Sequence, residues 1–268
     1  MQTGLLKPSF LVTTCPHPEA ALRERARALA SDYDLVYEAR GTSTLADLRR
    51  SCGVAGVLVV GREGLRYATP EATLGFHPSM AKLRLHNVES GRGDPLLTAM
   101  NLRPTDRVLD CTLGLATDAL VVASALRDDG SVEGLEVVLP IYLVVSDGLA
   151  RCTASAGAFS RAARRIQPRW AEASAFLMRC AAGDYDVIYL DPFFEQPVAG
   201  SCAIAPLRTL GAHDRRPLRA AALRATEVAR RCVVVKGSRA SRFFDELPVQ
   251  RIVSGRRSNV AYAVLQVK

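Results

Sequence analysis

The sequence predicts an α/β fold in which a sheet of seven strands, with its central strands parallel, follows a small N-terminal α/β module. From residue 107 onward, strand-like and helix-like stretches alternate along the chain, which is the pattern of βαβ units. Central runs such as residues 187–190 and 233–236 are continuously apolar, as is typical of parallel strands covered on both faces. With 268 residues, 49% of them hydrophobic and 23% charged, the chain can bury an ample core, and the composition excludes intrinsic disorder.

The N-terminal module is predicted to span residues 1–73. Its elements, in order, are a strand at 9–14, a helix at 19–30, a strand at 35–38, a helix at 45–52 and strands at 56–60 and 65–69. The last two strands flank the turn 61–64 and predict a hairpin. A joining segment, residues 74–106, contains turn-like stretches and the pair Asp94-Pro95, which can start a helix through Ala99.

The remaining residues, 107–268, are predicted to form the main domain. Its strands are expected at 107–111, 132–135, 166–169, 187–190, 233–236, 251–254 and 260–266, the last two as a possible hairpin. Helices are expected between the earlier strands, at 118–126, 140–156, 171–180 and 217–231. This order predicts a sheet with helices on both faces.

The net charge of +8 is concentrated at one end of the sequence. Residues 200–268 carry 14 basic and 4 acidic side chains, and nearly all the basic ones are arginine. Arginine binds phosphate through a planar fork, so this segment predicts a phosphate-binding rim for RNA with salt-sensitive affinity. A general compositional bias toward arginine is the alternative, although it does not explain the clustering.

Cysteine and histidine give no sign of a disulfide framework or a metal site. The seven cysteines are scattered without a CxxC pair, and the four histidines lack ligand spacing. The longest apolar stretch, around residues 135–145, is interrupted by Glu136 and Pro140 and is too short to cross a bilayer. We therefore expect a cytoplasmic protein with no metal and no membrane partner; the sequence leaves the oligomeric state open.

The first strand of the main domain ends in an acid and leads into a glycine-containing turn. Asp110 is followed by Thr112 and Gly114, and a helix begins near Asp118, which could cap it. Neither G-x-G-x-x-G nor a P-loop is present, which argues against a pyrophosphate ligand. An acid at this place fits a ligand with an ammonium group, such as S-adenosylmethionine, although an ordinary strand-turn-helix connection would look the same.

Acids also follow the next two strands. Glu136 ends the second strand, where a carboxylate can accept hydrogen bonds from two ribose hydroxyls. Glu172 follows the third strand and could accept a hydrogen bond from an adenine amino group, with Trp170 packed on the ring. A solvated strand end for Glu136 and, for Glu172, a helix N-terminal glutamate favoured by the helix dipole are the structural alternatives.

The fourth strand ends in Asp191-Pro192, followed by two aromatic residues, Phe193 and Phe194. Asp191 and a neighbouring carbonyl can accept hydrogen bonds from a planar amino group, and either ring can stack on the base that bears it. Such a site would orient a nitrogen lone pair toward an electrophilic methyl group. A strand-end turn with core aromatics is the alternative.

Taken together, these motifs resemble those of class I S-adenosylmethionine-dependent methyltransferases. The segments D-x-T-x-G-L-x-x-D at 110–118 and Y-L-D-P-F-F at 189–194 carry the likeness, and L-D-C-T-L-G-L-A-T-D-A-L, D-V-I-Y-L-D-P-F-F and V-V-V-K-G-S are similar to the RsmJ-type enzymes. Those enzymes methylate the exocyclic amino group of a guanine in small-subunit ribosomal RNA. The resemblance implies a Rossmann-like sheet with S-adenosylmethionine as cofactor.

The resemblance also implies roles for individual residues. Cofactor contacts are expected at Asp110, Thr112, Gly114, Asp118, Glu136 and Glu172, and target contacts at Asp191, Pro192 and Phe193. Candidates for substrate binding are Phe194, Lys236 at the pocket rim, Arg208 in the loop 196–217, and His77, which stands with Lys82, Arg84, His86 and Arg92 in the joining segment. Phe193 stands where the relatives have methionine, and Ala205 stands where an acid is common.

The sequence therefore predicts methyl transfer to an exocyclic amino group of a guanine in ribosomal RNA. Two other classes of function remain open. One is a methyltransferase for a small molecule or a protein, and the other is a non-catalytic RNA-binding protein with a methyltransferase-like fold.

Overall fold

The computed structural model describes residues 9–77, 79–127, 129–153, 157–192, 216–255 and 258–268. Its N-terminal part holds strands β1 (Phe10–Thr14), β2 (Val36–Tyr37), β3 (Gly56–Gly61), β4 (Gly64–Ala68) and β5 (Thr73–Gly75), with helices α1 (Ala20–Asp32) and α2 (Leu45–Cys52). These strands form one sheet in the order β2-β1-β3-β4-β5. β1 pairs in parallel with β2 and β3, whereas β3, β4 and β5 form an antiparallel meander.

The boundaries of α2 follow from its own sequence. Thr44 and Asp47 form a capping box at its start, because each side chain accepts a hydrogen bond from the backbone N–H of the other. Gly53 ends the helix in the left-handed region, with φ of 63°. Helix 45–52 was predicted with these bounds, and the hairpin of β3 and β4 was also predicted.

Two helices, α3 (Ser79–Glu89) and α4 (Pro95–Met100), lead from the small sheet to the large one. Asp94 caps α4 by accepting a hydrogen bond from the Leu96 N–H at 2.9 Å, as the pair Asp94-Pro95 predicts. The sequence pattern did not predict α3 or β5. α3 has little separation of polar and apolar faces, and β5 has only three residues, so neither carries a clear periodic signal.

The large sheet has seven strands, as predicted: β6 (Arg107–Asp110), β7 (Ser131–Glu136), β8 (Ile166–Trp170), β9 (Tyr185–Leu190), β10 (Ala229–Ser238), β11 (Val249–Ser254) and β12 (Val260–Leu265). Their order is β11-β12-β10-β9-β6-β7-β8. β6 to β10 are parallel, and β12 runs antiparallel to both β10 and β11. The Rossmann-like methyltransferase sheet expected from the sequence is confirmed.

Helices cover both faces of this sheet. They are α5 (Thr117–Ala125), α6 (Leu139–Cys152), α7 (Ala158–Arg164), α8 (Ala173–Leu177) and α9 (Arg216–Val228). α5, α6 and α7 share one core with the small sheet, and α8 and α9 pack in a second core on the opposite face. β10 serves both cores, since Val234 points into the first while Val233 and Val235 point into the second.

The small sheet docks on α6. Asp147 of α6 accepts a hydrogen bond from the Leu65 N–H at 2.8 Å and forms an ion pair with Arg25. Arg151, one turn further on, donates to the carbonyl oxygen of Arg62 at 2.6 Å. The N-terminal part is therefore fixed against the helix that follows β7. In the described ranges no helix combines the length and the apolar character needed to cross a membrane.

Predicted helices end early at more than one place, and 171–180 is helical only over Ala173–Leu177. The stretch 217–231 is helical only to Val228, and Arg230 and Arg231 belong to β10. Arg230 forms an ion pair with Asp186 at 2.7 Å, and Arg231 forms one with Asp106. These long-range pairs, together with pairing to β9, override the local helical propensity of an alanine- and arginine-rich stretch.

Candidate active site

The turn after β6 is anchored to the strands on either side of it. The Cys111 N–H donates to the Tyr189 carbonyl oxygen of β9 at 2.8 Å, and the Leu113 N–H donates to the Leu135 carbonyl oxygen of β7 at 2.8 Å. Gly114 has a φ of 50°, a conformation that glycine adopts at little cost. The turn therefore lies at the carboxyl ends of three neighbouring strands, where open α/β sheets bind ligands.

Asp110 and Glu136 are the two acids beside this turn, and both are buried, with 2% and 7% of their surface exposed. Asp110 accepts a hydrogen bond from the Thr112 N–H at 2.9 Å. Glu136 accepts one from the Gly114 N–H at 3.1 Å and one from the Val138 N–H at 2.8 Å.

Burial sets the protonation of both acids. It raises the pKa of Asp110 to about 8, and the charges of Asp118 and Asp191 act in the same direction. It raises the pKa of Glu136 to about 7, against the effect of the backbone N–H groups that the carboxylate accepts. A cation brought to these acids would favour their ionised forms.

Asp191 lies at the carboxyl end of β9 and is the most exposed acid of the site, with 26% of its side chain accessible. Its backbone N–H donates to Thr112 Oγ1 at 2.6 Å, which ties it to the turn after β6. Its Oδ2 lies 2.7 Å from Lys236 Nζ. Burial raises the pKa of Asp191, while Lys236 acts to lower it. Pro192, which follows, is buried.

Asp118 shares the Lys236 ammonium group with Asp191 and is buried, with 9% of its surface exposed. It forms an ion pair with Arg84 and accepts hydrogen bonds from Lys236 Nζ at 2.9 Å and from the Tyr189 hydroxyl at 2.7 Å. Burial opposes the charge of Asp118, but Lys236 and Arg84 hold its pKa well below its usual value. The expectation that Asp118 caps α5 is wrong, because Ala116 occupies the N-cap and the Asp118 carboxylate points to these partners instead.

Arg84 of α3 completes the network. Its Nε and Nη2 each lie 2.9 Å from an oxygen of Asp94, the residue that caps α4. The sequence places Arg84 in the joining segment beside the substrate candidate His77, and no sequence signal points to the Tyr189 hydroxyl. Both meet Asp118 only through the fold.

The sequence predicts Lys236 at the pocket rim, but the structure places its side chain inside the site. Its side chain is 16% exposed and bridges Asp118 and Asp191 inside the site. The register of β10 explains this, since Val235 pairs with Leu190 and Lys236 therefore comes level with Asp191.

Glu172 and Trp170 make structural contacts. The Glu172 carboxylate caps α8 by accepting hydrogen bonds from the Ser174 N–H at 3.0 Å and the Ala175 N–H at 2.7 Å. The Trp170 indole N–H donates to the Val137 carbonyl oxygen at 3.0 Å, and its ring packs edge-on against Tyr33. Glu172 thus lies at the N-terminus of α8, where the alternative of a glutamate favoured by the helix dipole expects it.

The other substrate candidates are not brought to Asp191 by any contact of the described residues. His77 lies exposed beside Gly75 of the small sheet. Phe193, Phe194 and Arg208 lie outside the described residues. In the part of the chain that the structure describes, no cluster of three or more His, Cys, Asp or Glu side chains is arranged to hold a metal ion.

The site therefore combines four acidic side chains, Asp110, Asp118, Glu136 and Asp191, with two cationic side chains, Arg84 and Lys236. This excess of acidic groups suits a ligand that carries positive charge. A seven-stranded sheet of this order with acids at the ends of β6, β7 and β9 has the fold and the acid positions of a class I S-adenosylmethionine-dependent methyltransferase.

Comparison with known proteins agrees with this class. The family model described as "Putative SAM-dependent methyltransferase" matches residues 71–261, and the chain belongs to this family. Its cofactor is S-adenosyl-L-methionine.

Named relatives come from several bacteria. The uncharacterized protein YpiP of Bacillus subtilis is 31% identical over 257 residues, covering 96% of this chain and 99% of that protein. Ribosomal RNA small subunit methyltransferase J of Chromohalobacter salexigens is 32% identical over 178 residues, or 65% of this chain and 67% of that protein. The crystal structure of the SAM-dependent methyltransferase NGO1261 from Neisseria gonorrhoeae shares the fold, with a TM-score of 0.65 at 17% identity, over 96% of this chain and 95% of that one.

Proposed function

We propose that this protein methylates an exocyclic amino group of a guanine in ribosomal RNA. The observation that carries the proposal is the position of Asp191-Pro192, a partly exposed acid followed by a buried proline, at the carboxyl end of β9 and bonded to the turn that borders Asp110 and Glu136. The relative named ribosomal RNA small subunit methyltransferase J supports the RNA substrate.

The residues around the turn after β6 fit the cofactor by their chemistry. S-adenosylmethionine supplies, when bound, a methyl group on a positively charged sulfur. Asp110 and Thr112 would hold its ammonium end, because a buried carboxylate of raised pKa is stabilised by a nearby cation. Glu136 would accept from the ribose hydroxyls through the lone pairs that Gly114 and Val138 leave free. Contacts of Asp118 and Glu172 with the cofactor remain predictions.

Asp191 would act on the target nitrogen. Its ionised carboxylate accepts a hydrogen bond from the amino group and so turns the nitrogen lone pair toward the methyl group. After the new C–N bond forms, the nitrogen carries an extra proton, which it gives to the Asp191 carboxylate. Pro192 and Phe193 would complete the target site, with Phe194, Arg208 and His77 as further predicted contacts to the RNA.

The test is tritiated methyl transfer to ribosomal RNA from a strain in which the gene is deleted, with wild-type RNA for comparison. Asp191→Ala is expected to lower the transfer rate by about 100-fold or more and to leave cofactor binding by calorimetry within a few fold. Asp245→Ala, at an exposed acid after β10, serves as the matched control.

The proposal has two ways to fail. Turnover that survives in Asp191→Ala would remove the role assigned to this residue. Equal labelling of both RNA preparations, or of neither, would remove ribosomal RNA as the substrate, and a small-molecule or protein acceptor would take its place.

A further inference from the structure

Lys236 forms a bridge between two acids of the site that differ in their surroundings. Its Nζ lies 2.7 Å from Asp191 Oδ2 and 2.9 Å from Asp118 Oδ2. Since β10 and β9 pair in parallel, the lysine is delivered to this point by a central strand of the sheet, not by a loop. Its ammonium group is therefore held in place by the most rigid part of the fold.

The two acids are not equivalent partners. Asp118 also receives the Tyr189 hydroxyl and the Arg84 guanidinium, and Arg84 is gripped by Asp94. The Asp118 side chain is 10% exposed, whereas that of Asp191 is 26% exposed. Asp118 is thus the fixed end of the bridge, and Asp191 is the end that a ligand can reach.

We propose that Lys236 is a positioning residue that keeps the Asp191 carboxylate ionised and oriented in the free enzyme. When the target amino group binds to Asp191, it replaces the Lys236 ammonium group there, and Lys236 stays bound to Asp118. This inference rests on the proposed function for the identity of the target. It assigns to Lys236 a role that differs from direct contact with RNA.

The bridge opposes the effect of burial on the charge of the Asp191 carboxylate. An amino group is a donor, so it needs an ionised carboxylate as its acceptor. Burial raises the pKa of Asp191, and Lys236, whose Nζ lies 2.7 Å from Asp191 Oδ2, opposes this effect. Because Lys236 has a second acceptor in Asp118, the amino group can displace it from Asp191 without leaving a buried cation unpaired.

The protons and electron pairs of the transfer step are balanced by Asp191 and, after the step, by water. The target nitrogen forms its bond to the methyl carbon, the C–S electron pair stays on sulfur, and the surplus proton on nitrogen moves to the Asp191 carboxylate. Lys236 keeps all its protons and remains paired with Asp118, and Asp191 later loses its proton to water. Among the described residues, the charged and titratable groups facing this pair include Asp110 of β6, Asp118 of α5, Arg84 of α3, Tyr189 of β9 and Tyr262 of β12.

The first test measures the Asp191 carboxyl directly, in protein labelled with ¹³C-aspartate and saturated with S-adenosylhomocysteine. The resonance is assigned by its loss in Asp191→Asn. Lys236→Met is expected to raise the pKa of Asp191 by at least about one pH unit, and Lys236→Arg is expected to keep it near the wild-type value. Lys268→Met, which removes an exposed lysine paired with Glu227, is the matched control. An unchanged pKa in Lys236→Met would overturn the proposal.

The second test follows methyl transfer. In Lys236→Met, kcat is expected to fall at least tenfold, while KM for the cofactor changes little. The acidic limb of the pH profile of kcat is expected to move to higher pH in this variant and to return to its wild-type position in Lys236→Arg. Asp118→Asn, a second variant in case Lys236→Met does not fold, is expected to lower the pKa of Asp191, because it removes a neighbouring negative charge that raises this pKa. If wild-type protein labels no ribosomal RNA, the proposed function fails, but the carboxyl titration still decides the role of Lys236.

Discussion

The acids at strand ends could be predicted from the sequence because parallel strands bring their carboxyl ends to one edge of the sheet. Asp110, Glu136 and Asp191 each end or follow a buried run, so the position of each in the sequence implies its position in space. The partners of Asp118 could not be predicted in this way. Arg84 and Tyr189 lie 34 and 71 residues from it in the sequence, and only the packing of α3 and β9 against α5 brings them together.

Protonation of Asp110 gives a prediction for cofactor binding. Its pKa in the free protein, about 8, lies above its usual value, so the carboxyl is mostly protonated below that pH. The Asp110 carboxyl must release this proton before it can hold the cofactor ammonium as a carboxylate. The affinity for the cofactor should therefore rise with pH toward 8, by up to about tenfold per pH unit. We expect calorimetric titrations with S-adenosylmethionine between pH 6 and 7.5 to show this increase.

Asp110→Asn is the control for that experiment. It should bind more weakly at pH 7.5 and show a flatter dependence, with a residual slope from Glu136, whose pKa is about 7. The titration of the cofactor's own amino group is common to both proteins and cancels in the comparison. The same slope in wild type and variant would mean that Asp110 does not exchange its proton when the cofactor binds.

At the scale of elements, the sequence predicted the strands of the large sheet better than the helix ends. The central strands, such as β9 and β10, are largely buried and carry a strong apolar signal, whereas the end of α9 depends on partners from elsewhere. Arg230 and Arg231 continue a helical pattern, yet they pair with Asp186 and Asp106 at the amino ends of other strands. Local propensity could not anticipate these pairs.

The contact between α6 and the segment after β5 gives a prediction about how the small sheet is attached. A Cβ added at Gly148 of α6 would lie 2.1 Å from Cγ of Phe76, so this glycine makes room for the aromatic ring. Glycine inside a helix normally costs about 1 kcal/mol relative to alanine, and Gly148→Ala would otherwise stabilise the protein. We expect the opposite sign, a loss of about 1–3 kcal/mol in the free energy of unfolding by urea, because the core is overpacked.

A double variant separates this contact from other effects of the substitution. Phe76→Ala alone should destabilise the protein, since it removes a ring packed against the core. In the presence of Phe76→Ala, the change Gly148→Ala should become neutral or stabilising. If Gly148→Ala costs the same with and without the ring, the two residues do not determine how the small sheet is fixed to α6.

For the whole molecule, described arginines of the basic C-terminal segment lie at both ends of the large sheet. Arg230 and Arg231 lie at the start of β10, about 20 Å of strand away from Lys236, and form ion pairs there. Arg239 and Arg242 follow the carboxyl end of β10, on the side of Asp191. The expectation that this segment supplies a phosphate-binding rim stays a prediction, and the position of Arg239 and Arg242 on the side of Asp191 favours the second pair.

This division predicts which arginines affect RNA affinity. Each phosphate contact contributes about 0.7–0.9 to the slope of log affinity against log salt. We expect the double variant Arg239→Gln with Arg242→Gln to weaken binding of ribosomal RNA in filter assays and to reduce that slope by up to about two. Arg230→Gln, which removes a 61% exposed arginine at the opposite end of the sheet, should leave the slope unchanged. An equal loss of slope in both variants would place the RNA over the whole basic segment, and no loss in either would show that its charge reflects composition and not a partner.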